Sequence, residues 1–447
     1  MPIDLPIDRR HLLAGTLTST AAVTVPLPAF GLDAGKLGLR PGASDDQSRA
    51  LQRTIDQAAR MRAPLMLPPG LYRTGALTLP EGAQLMGVRG ASRLILTNGP
   101  SLLSANGANY ITLSGLVIDG SGQALPQGRG LIHLFASKAV RIADCTIDNA
   151  GGNAIVLEQC EGHVARNTVS GAADNAIFCN DNSGLVISAN TIRNCGNGGV
   201  RIWQSSKRHD GSIVADNTIE DIDARAGGTG ENGNAINVFR AANVIVRNNV
   251  IRRAAFSAIR GNASSNIQIT GNNCAALKET AIYAEFDFEG AVVAGNVVDT
   301  AENGISITNF NNGGRLSTVH GNLVRNIGVQ RAETKPEDAG IGIGAEAETA
   351  VTGNVVENAA NIGIRAGWGP YLRNVTIDGN VVRRAGIGIA VSVAPNAGAA
   401  TISGNVVADT RLGSVVGMEW SKTVTGDLAR DGPGKYAQLT IANNQSR

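Results

Sequence analysis

Aromatic residues are scarce in this chain, which has 447 residues but only 8 Phe, 5 Tyr and 3 Trp, against 56 Gly. A core built on large rings is therefore disfavoured, and a narrow core of Ile, Val, Leu and Ala fits the composition better. The formal net charge is only +2. Because Lys and Arg are also scattered along the chain, the charge pattern gives no reason to expect nucleic acid or an anionic membrane as a partner.

Long apolar runs and metal-type cysteine spacings are also missing. Beyond the first 30 residues, no run reaches the roughly 18 apolar residues that a membrane-spanning helix needs. No Cys-x-x-Cys or Cys-plus-His spacing occurs, so the cysteines are expected to be small apolar residues of the core. They are Cys145, Cys160, Cys179, Cys195 and Cys274.

The first 30 residues predict an export signal. Arg9 and Arg10 precede a weakly apolar stretch from Leu12 to Val25 that is rich in Ala, Thr, Ser and Gly. The segment resembles a twin-arginine signal. That resemblance implies recognition by the twin-arginine translocation machinery and a periplasmic or secreted location.

One unit repeats along most of the remaining chain. It reads apolar-x-apolar-x-x-Asn-x-Val/Ile, then a short polar turn, then Gly/Ala-Ile-x-Ile, as in Leu185–Ile192 with its companion strand at Gly199-Val200. The marker asparagines recur every 23 to 32 residues, which indicates one rung of a parallel β-helix per repeat, with insertions emerging as loops. Stacked about 4.8 Å apart, they would form a structural ladder. The asparagines are Asn167, Asn190, Asn217, Asn249, Asn272, Asn296, Asn322, Asn354, Asn380 and Asn405.

The open end of such a solenoid needs a cap. Asp45 and Asp46 are expected to supply the N-cap of a helix that extends to Met61, with apolar residues at helical spacing. The resulting division is a signal segment over 1–30 and a single β-helix domain over 31–447, with a cap region over 31–64 and rungs over 65–447.

The opening of the domain carries a family resemblance. Ser44-Asp45-Asp46-Gln47-Ser48 and the later Leu67-Pro68-Pro69-Gly70-Leu71-Tyr72-Arg73 are similar to the start of pectate-lyase-like and tailspike-like β-helix proteins. Together with the paired arginines and the asparagine-marked rungs, the chain resembles a family of twin-arginine-translocated β-helix repeat proteins. The resemblance implies an all-β, right-handed parallel β-helix with a short N-terminal capping helix.

A candidate site lies on the strand that follows the Gly/Ala-Ile marker. Because side chains alternate along a strand, the residue after each inward Ile or Val is expected to face solvent. The first outward column predicted in this way is Val156, Phe178, Arg201, Asn237, Arg260, Tyr283, Ser306, Gly342 and Arg365. The second is Glu158, Asn180, Trp203, Phe239, Asn262, Glu285 and Thr308.

These columns predict a site for an acidic polysaccharide, since guanidinium groups pair with carboxylates and aromatic faces support sugar rings. Arg260, Tyr283 and Glu285 are the catalytic candidates. An ordinary solvated sheet face is about as good an interpretation. The candidates for substrate binding are Arg201, Trp203, Asn237, Arg240 and Arg365.

A separate hypothesis concerns the segment Tyr283–Glu289. Read as one strand, it places Glu285, Asp287 and Glu289 on one face, a separation that suits acid–base work or a Ca²⁺ site. A solvated acidic stripe with Phe286 and Phe288 in the core is the alternative. The insertions Asp221–Gly233 and Gly328–Asp338 are expected to form loops that wall a groove.

Two functions follow. One is an exported protein that binds or modifies polysaccharide, with lyase or epimerase chemistry ahead of hydrolysis because arginines outnumber usable carboxylate pairs; whether it is an enzyme stays open. The other is a non-catalytic envelope or glycan-binding scaffold. No cofactor motif is present, so Ca²⁺ is the only cofactor the sequence raises.

Export can be tested directly. Replacing both Arg9 and Arg10 with Lys should leave the protein in the cytoplasm without changing its fold, because the twin-arginine machinery reads that pair. Fractionation of cells that express each version measures the outcome. Delivery of the double-lysine variant to the periplasm would contradict the assignment.

Overall fold

The computed structural model describes residues 31–228, 230–308 and 314–447. The export-signal segment over 1–30 lies outside these residues. The described chain is almost entirely short strands that stack in parallel, rung upon rung, as the asparagine repeat predicts. The main apolar core of Ile, Val, Leu and Ala runs inside the stack from Ala34 to Leu439. A second, smaller cluster of buried apolar residues consists of Ile341, Ile362, Ile387, Ala390, Val416 and Met418.

Each rung contributes one strand to each of three faces. Face 1 holds the strand that precedes the marker asparagine, face 2 the strand that follows it, and face 3 the strand of the Gly/Ala-Ile marker. Faces 2 and 3 share Val355–Ala366 and Val381–Ser392, two strands that pass through both faces.

The face 1 strands are Leu32–Asp33, Leu65–Leu67, Gln84–Gly87, Thr112–Ser114, Val140–Ala143, Gly162–Ala165, Val186–Ser188, Ile213–Ala215, Ile245–Arg247, Ile267–Thr270, Glu289–Ala294, Arg315–His320, Thr349–Thr352, Val375–Asp378, Ala400–Ser403 and Leu439–Ala442. Besides the two shared strands, those of face 2 are Gly70–Thr74, Ser92–Leu96, Val117–Asp119, Thr146–Asp148, Thr168–Ser170, Thr191–Cys195, Thr218–Ile222, Val250–Ala254, Asn273–Ala275, Val297–Ala301, Leu323–Ile327, Val406–Thr410 and Gln445–Ser446. Those of face 3 are Leu77–Thr78, Leu103–Asn106, Gly130–Phe135, Asn153–Glu158, Asn175–Asn180, Gly198–His209, Asn234–Ala242, Ile259–Asn262, Thr280–Glu285, Asn303–Thr308, Ile341–Ala345 and Val415–Glu419.

One described strand departs from the parallel pattern. Lys422–Asp427 returns antiparallel to Val415–Glu419 and forms a hairpin on face 3. The remaining elements are the α-helices Ser48–Arg60 and Leu428–Asp431 and the 3₁₀ turns Gly35–Leu37, Pro336–Asp338 and Gly369–Tyr371.

The capping helix forms where the sequence predicts it, with a shifted start. It buries Leu51, Ile55 and Ala58 against the first rungs, and it ends at Arg60. Gln47, not Asp45 or Asp46, occupies the N-cap position, and it makes no side-chain cap bond. Asp46 instead accepts a hydrogen bond from the Ser48 backbone N–H at 2.8 Å.

The predicted asparagine ladder is confirmed, and its geometry shows why asparagine is required. The Oδ1 atom of Asn272 accepts from the backbone N–H and from Nδ2 of Asn249, each at 3.0 Å. Its own Nδ2 donates to Asn296 Oδ1 at 3.0 Å and to the Val246 carbonyl at 3.1 Å. One carboxamide thus joins the preceding rung to the following one, and the same pattern continues beyond Asn405 to Asn444.

All five cysteines are buried and unpaired inside the stack, as expected for small apolar residues. Burial raises the pKa of the Cys145 and Cys160 thiols to about 11.

The ladder generates a stability prediction. Asn272→Ala should lower the free energy of unfolding by about 3 kcal/mol, because it removes the acceptor of the buried Asn249 backbone N–H and the donors to Val246 and Asn296. Asn444→Ala, at the half-buried end of the ladder, should cost about 1 kcal/mol or less. Urea unfolding followed by circular dichroism measures both, and equal losses would contradict the role assigned to the ladder.

Candidate functional site

The strand register of face 3 brings the predicted candidates together in two columns. Arg201, Asn237, Arg260 and Tyr283 are direct partners on successive rungs. Trp203 and Glu285 lie in the second column, as expected. One position is wrong: Ser306 pairs with Gly344 rather than with Gly342, so Gly344 continues the first column towards Arg365.

Both columns point away from the core, yet several members are buried, which the sequence interpretation did not anticipate. Arg260 is only 7% exposed and Glu285 only 3%, and Arg201 and Asn237 are also buried. The insertion near Gly230 covers Arg201 and Asn237, which donate to Asn232 Oδ1 at 2.6 Å and to the Gly230 carbonyl at 2.8 Å, respectively. The outward side of face 3 is therefore the floor of a partly covered cleft.

An aromatic ladder occupies the N-terminal part of this floor. Phe178, Trp203 and Phe239, all half-buried, lie on three consecutive rungs. The Trp203 ring is 5.5 Å from each neighbouring ring, in edge-on contacts. Its indole N–H donates to Asn237 Oδ1 at 3.1 Å, so the orientation of the ring is fixed while part of it stays open to solvent.

Two arginines flank the aromatic ladder. The Arg201 guanidinium lies 5.2 Å from the centre of the Trp203 ring, and burial lowers its pKa. Arg240 is exposed, lies 4.7 Å from the centre of the Phe239 ring and donates to the Ser205 carbonyl at 3.1 Å. The predicted binding residues Arg201, Trp203, Asn237 and Arg240 thus form one contiguous group, whereas Arg365 lies further along the face.

The three catalytic candidates are also in contact. Glu285 accepts two hydrogen bonds from Arg260, at 2.6 and 3.0 Å, and a third from Asn262 at 2.8 Å. The Arg260 guanidinium lies 4.7 Å from the centre of the Tyr283 ring. Because Glu285 is buried and saturated with donors, it acts as a positioning residue that holds Arg260 against Tyr283.

The ion pair between Arg260 and Glu285 also changes the expected effect of a substitution at Arg260 on stability. On the sequence alone, outward positions contribute little to the core, so Arg260→Ala is expected to change stability by less than about 1 kcal/mol. Removing one partner of a buried ion pair generally costs about 3–5 kcal/mol. The burial and ion pairing of Arg260 therefore replace the low-cost expectation with this larger one, and loss of activity in that variant would report on folding as well as on chemistry.

The predicted acidic strand Tyr283–Glu289 does not exist as one strand. The face 3 strand ends at Glu285, and the chain turns at Phe286 and Asp287, which have φ values of 52° and 24°. Asp287 pairs with Lys207, and Glu289, on face 1, pairs with Arg315. Phe288 is in the core as expected, but Phe286 is half-buried outside it.

This turn removes the geometric basis for the Ca²⁺ hypothesis. Glu285, Asp287 and Glu289 do not share one strand face, and each is engaged by a basic side chain. Within residues 31–228, 230–308 and 314–447, no group of three or more His, Cys, Asp or Glu side chains could hold a metal ion.

Two functional candidates escaped the sequence interpretation. Glu279 and Glu302 stand on adjacent rungs just before the face 3 strands, where the Glu302 N–H donates to the Glu279 carbonyl at 3.2 Å. Both are buried, Glu279 at 9% exposure. Each glutamate precedes the inward isoleucine of its rung by three positions. Comparing the residues at that position on successive rungs would have identified both glutamates.

The electrostatics of Glu279 differ from those of an ordinary surface carboxyl. Burial raises its pKa, and the neighbouring Glu285 and Glu302 raise it further, while Arg260 and Arg331 lower it. Oε2 of Glu279 lies 3.6 Å from Arg260 Nη1 and has no hydrogen-bond partner among the described residues. Burial also raises the pKa of the Tyr283 hydroxyl. Both groups therefore tend to retain their protons.

A groove of about 390 Å³, the central groove, opens over Arg260 and Tyr283. Glu279 lines an adjoining cavity of about 370 Å³, which shares Tyr283 and Asp338 with the central groove. Tyr283, Arg260 and Glu285 line the floor of the central groove, and Glu337 and Asp338 of the insertion Gly328–Asp338 form one wall. Arg331 of the same insertion pairs with Glu302 at 2.8 Å and so ties the loop to the rung. The insertion thus walls a groove, as expected.

Arg365 lies at the other end of the groove. Its guanidinium lies 4.9 Å from the centre of the Trp368 ring, and burial lowers its pKa although Glu346 opposes that effect. Within the described part of the chain, Arg365 makes no hydrogen bond or ion pair. Its donors are available to a ligand.

A larger cleft of about 580 Å³ lies at the corner between faces 2 and 3. Its main charged groups neutralise one another, since Arg253 pairs with Asp221 at 2.6 Å and Arg225 with Asp223 at 3.3 Å. The central groove on face 3 and its adjoining cavity contain Arg365, whose donors have no partner among the described residues, and Glu279, a carboxyl with a raised pKa, so we regard the two together as the candidate site.

A scan against family models matched the model described as right handed beta helix region over residues 93–219 and 208–371. The chain belongs to this right-handed β-helix family. No curated protein matched the sequence. None of the helices in the described ranges has the length and apolar character needed to cross a bilayer.

Two solved structures with TM-scores above 0.5 agree with the fold of this β-helix protein, and a third is similar at a lower score. Bacteriophage phi29 gene product 12, in its pre-mature form, has a TM-score of 0.54 at 13% identity, and the match covers 87% of this chain but only 55% of the phage protein. A tailspike protein of E. coli bacteriophage HK620 has a TM-score of 0.51 at 10% identity, with 92% and 78% covered. The catalytic unit of the GH87 α-1,3-glucanase of Streptomyces thermodiastaticus has a TM-score of 0.48 at 14% identity, with 94% and 69% covered.

The raised pKa of Glu279 generates a pH prediction. The folded protein binds this proton more tightly than the unfolded chain does, so ionisation of Glu279 opposes folding above the usual carboxyl pKa of about 4.3. Glu279→Gln should therefore raise the Tm at pH 7, and the gain should disappear near pH 4. Calorimetry at both values measures the effect.

The control is Glu337→Gln, an exposed glutamate at the groove wall, which should show no such pH-dependent gain. If Glu279→Gln instead lowered the Tm at pH 7, the attraction of Arg260 for Glu279 would outweigh burial.

Proposed function

We propose that this protein binds an acidic polysaccharide along face 3 and modifies it by acid catalysis where the central groove meets the adjoining cavity, with Glu279 as the proton donor. The observation that carries the proposal is the continuity of the floor. The three aromatic rungs lead directly to the rungs of Arg260 and Tyr283, and Glu279 lies 3.6 Å from Arg260.

The aromatic ladder supports binding of a sugar polymer. The flat faces of sugar rings present C–H groups that pack on aromatic rings, and the hydroxyl groups at their edges need polar partners. Phe178, Trp203 and Phe239 supply one ring on each of three consecutive rungs, with neighbouring ring centres 5.5 Å apart, so they suit a ligand that is itself a linear repeat. Arg240 supplies exposed donors beside Phe239.

The groove supports chemistry on that polymer. A glycosidic bond breaks more easily when its bridging oxygen receives a proton as the leaving sugar departs, while a water molecule bonds to the anomeric carbon and its proton returns to solvent. Glu279 is suited to donate it because burial keeps the carboxyl protonated to higher pH. The free donors of Arg365 suit a substrate carboxylate, which favours a polymer that contains uronic acids.

The reason given by the sequence for preferring lyase or epimerase chemistry is weakened by the site. Arg260 and Arg331 are both ion-paired with glutamates, so arginines do not outnumber carboxylates in the groove. Arg260 also stays charged, because its contacts with Glu285 raise its pKa despite the opposing effect of burial, and it cannot serve as a base. Proton donation is the step that the geometry favours.

The proposal includes export, which depends on Arg9 and Arg10. A periplasmic or secreted location would bring the cleft into contact with envelope or extracellular polysaccharide.

A polysaccharide screen tests the function. The purified protein would be incubated with polygalacturonate, alginate, hyaluronate and the neutral polymer dextran, and binding measured by calorimetry. New reducing ends report hydrolysis, absorbance of an unsaturated sugar reports elimination, and proton exchange from solvent reports epimerisation. We expect binding and turnover of an acidic polymer, with dextran inert.

Glu279→Gln should retain binding but lower turnover at least about 100-fold, the range usual for loss of a general acid. Turnover by Glu279→Gln at the parent rate would contradict the role of Glu279. Binding by the parent without any turnover would identify the protein as a glycan-binding scaffold, and absence of binding to every polymer would contradict the proposal.

A further inference from the structure

The tryptophans of this protein are all outside its core. The chain contains three, and none of them is buried. Exposed large aromatic side chains indicate a contact with a partner more often than exposed small apolar side chains do. Trp203 belongs to the aromatic ladder, whereas Trp368 and Trp420 lie together beyond the other end of the groove.

Trp368 and Trp420 form a built platform. Their ring centres lie 5.6 Å apart at an interplanar angle of 78°, and the Tyr371 ring lies 6.3 Å from Trp420. Trp420 is 47% exposed. It occupies the tip of the hairpin formed by Val415–Glu419 and Lys422–Asp427, the described pair of strands that departs from the parallel repeat.

A glycine makes room for this arrangement. A Cβ atom added to Gly369 would lie 2.5 Å from the Trp420 ring. Gly369 also has a φ of +55°, a conformation that favours glycine. The position of the Trp420 ring is therefore fixed by the backbone beneath it as well as by the neighbouring rings.

The platform is continuous with the candidate site. Arg365 and Trp368 line the end of the central groove and also a second cleft of about 400 Å³ that extends to Met418 and Ser421 of the hairpin. The guanidinium of Arg365, which stacks on Trp368, places polar donors beside the exposed rings. This pairing of an aromatic face with a polar group at its edge repeats that of Phe239 and Arg240.

We propose that Trp368 and Trp420 form a second sugar-binding platform and that one polysaccharide chain contacts this platform and the aromatic ladder at the same time. The inference rests on the proposed function and adds a minimum ligand length to it. Five rung steps separate Phe239 from the rung of Arg365. At about 4.8 Å per step they span about 24 Å, so a ligand of about six sugar units reaches both.

Length dependence follows from this arrangement. An oligosaccharide that reaches only one platform gains one set of contacts. One that reaches both makes its second contact within the same complex, so its affinity rises steeply once the gap is bridged. The central groove and the adjoining cavity with Glu279 lie between the platforms, which places the reacting bond inside the bound segment rather than at its end.

The test compares oligosaccharides of two lengths on matched variants. The probes are fragments of about three and about eight units, prepared from whichever of polygalacturonate, alginate or hyaluronate binds the parent protein. Trp420→Asn removes the exposed ring of the platform. Tyr110→Asn is the control, since Tyr110 is a 65% exposed aromatic residue outside face 3. Both residues have positive φ values, 53° and 57°, which Asn tolerates.

Trp420→Asn should weaken binding of the longer fragment about tenfold, or about 1.4 kcal/mol, and should leave binding of the shorter fragment at the aromatic ladder unchanged. Tyr110→Asn should change neither. Trp203→Ala should weaken both. If Trp420→Asn bound both fragments as the parent does, or weakened both equally, the second platform would be ruled out while the proposed function stood.

A fold control keeps the test decisive. The Tm of each variant is measured first, because the hairpin is held partly by Trp420. Trp420→Tyr retains an aromatic face and should keep most of the affinity for the longer fragment. If Trp420→Asn lowers the Tm, the comparison uses Trp420→Tyr and Trp368→Leu instead. The proposal expects Trp368→Leu to lose affinity for the longer fragment and Trp420→Tyr to keep it. Loss of affinity in both variants, or in neither, overturns the proposal.

Discussion

The carboxamide column of the asparagine ladder is the interaction on which the rest of this structure depends. At the corner between faces 1 and 2, each rung would otherwise bury backbone N–H and carbonyl groups without partners. A buried asparagine offers two donors and an acceptor that can take two bonds, and here all of them are used between adjacent rungs. Asparagines separated by 23 or by 32 residues make the same contacts, so an insertion elsewhere in a rung leaves the corner unchanged.

This tolerance of insertions explains how a regular scaffold carries a local site. Residues distant in sequence, such as Arg201 and Arg365, reach the same side of face 3 because the strands between them pair in register at these positions. The two longer insertions then differentiate that side. One covers Arg201 and Asn237, and the other brings Arg331 to Glu302. The repeat fixes the positions of the face 3 side chains, and the insertions bury some of these side chains and add charged partners.

The sequence was sufficient to predict the fold and most of the face 3 columns. Asn272 and its equivalents predict the rungs by their residue type and spacing. Side-chain alternation predicts the outward positions of Arg260, Tyr283 and Glu285. Burial could not be predicted in this way, because it depends on loops whose paths no repeat specifies. The prediction of one strand through Phe286 was wrong, because apolar and polar residues can alternate in sequence across a turn as well as along a strand. Predicting Glu279 and Glu302 as site residues would have required a third column of positions. Their contacts with arginines are visible only in the three-dimensional structure.

The five buried thiols carry a consequence for how this protein behaves in different redox environments. They form no disulfide bridges, so the cohesion of the rod does not depend on oxidants, reductants or thiol isomerases. Burial also disfavours the reactive thiolate. Four of the thiols lie on rungs between Cys145 and Cys195, and Cys274 lies further along the stack, on the face 2 strand Asn273–Ala275. Their modification therefore records the opening of individual rungs, and the native chain already contains reporters for local unfolding at both places.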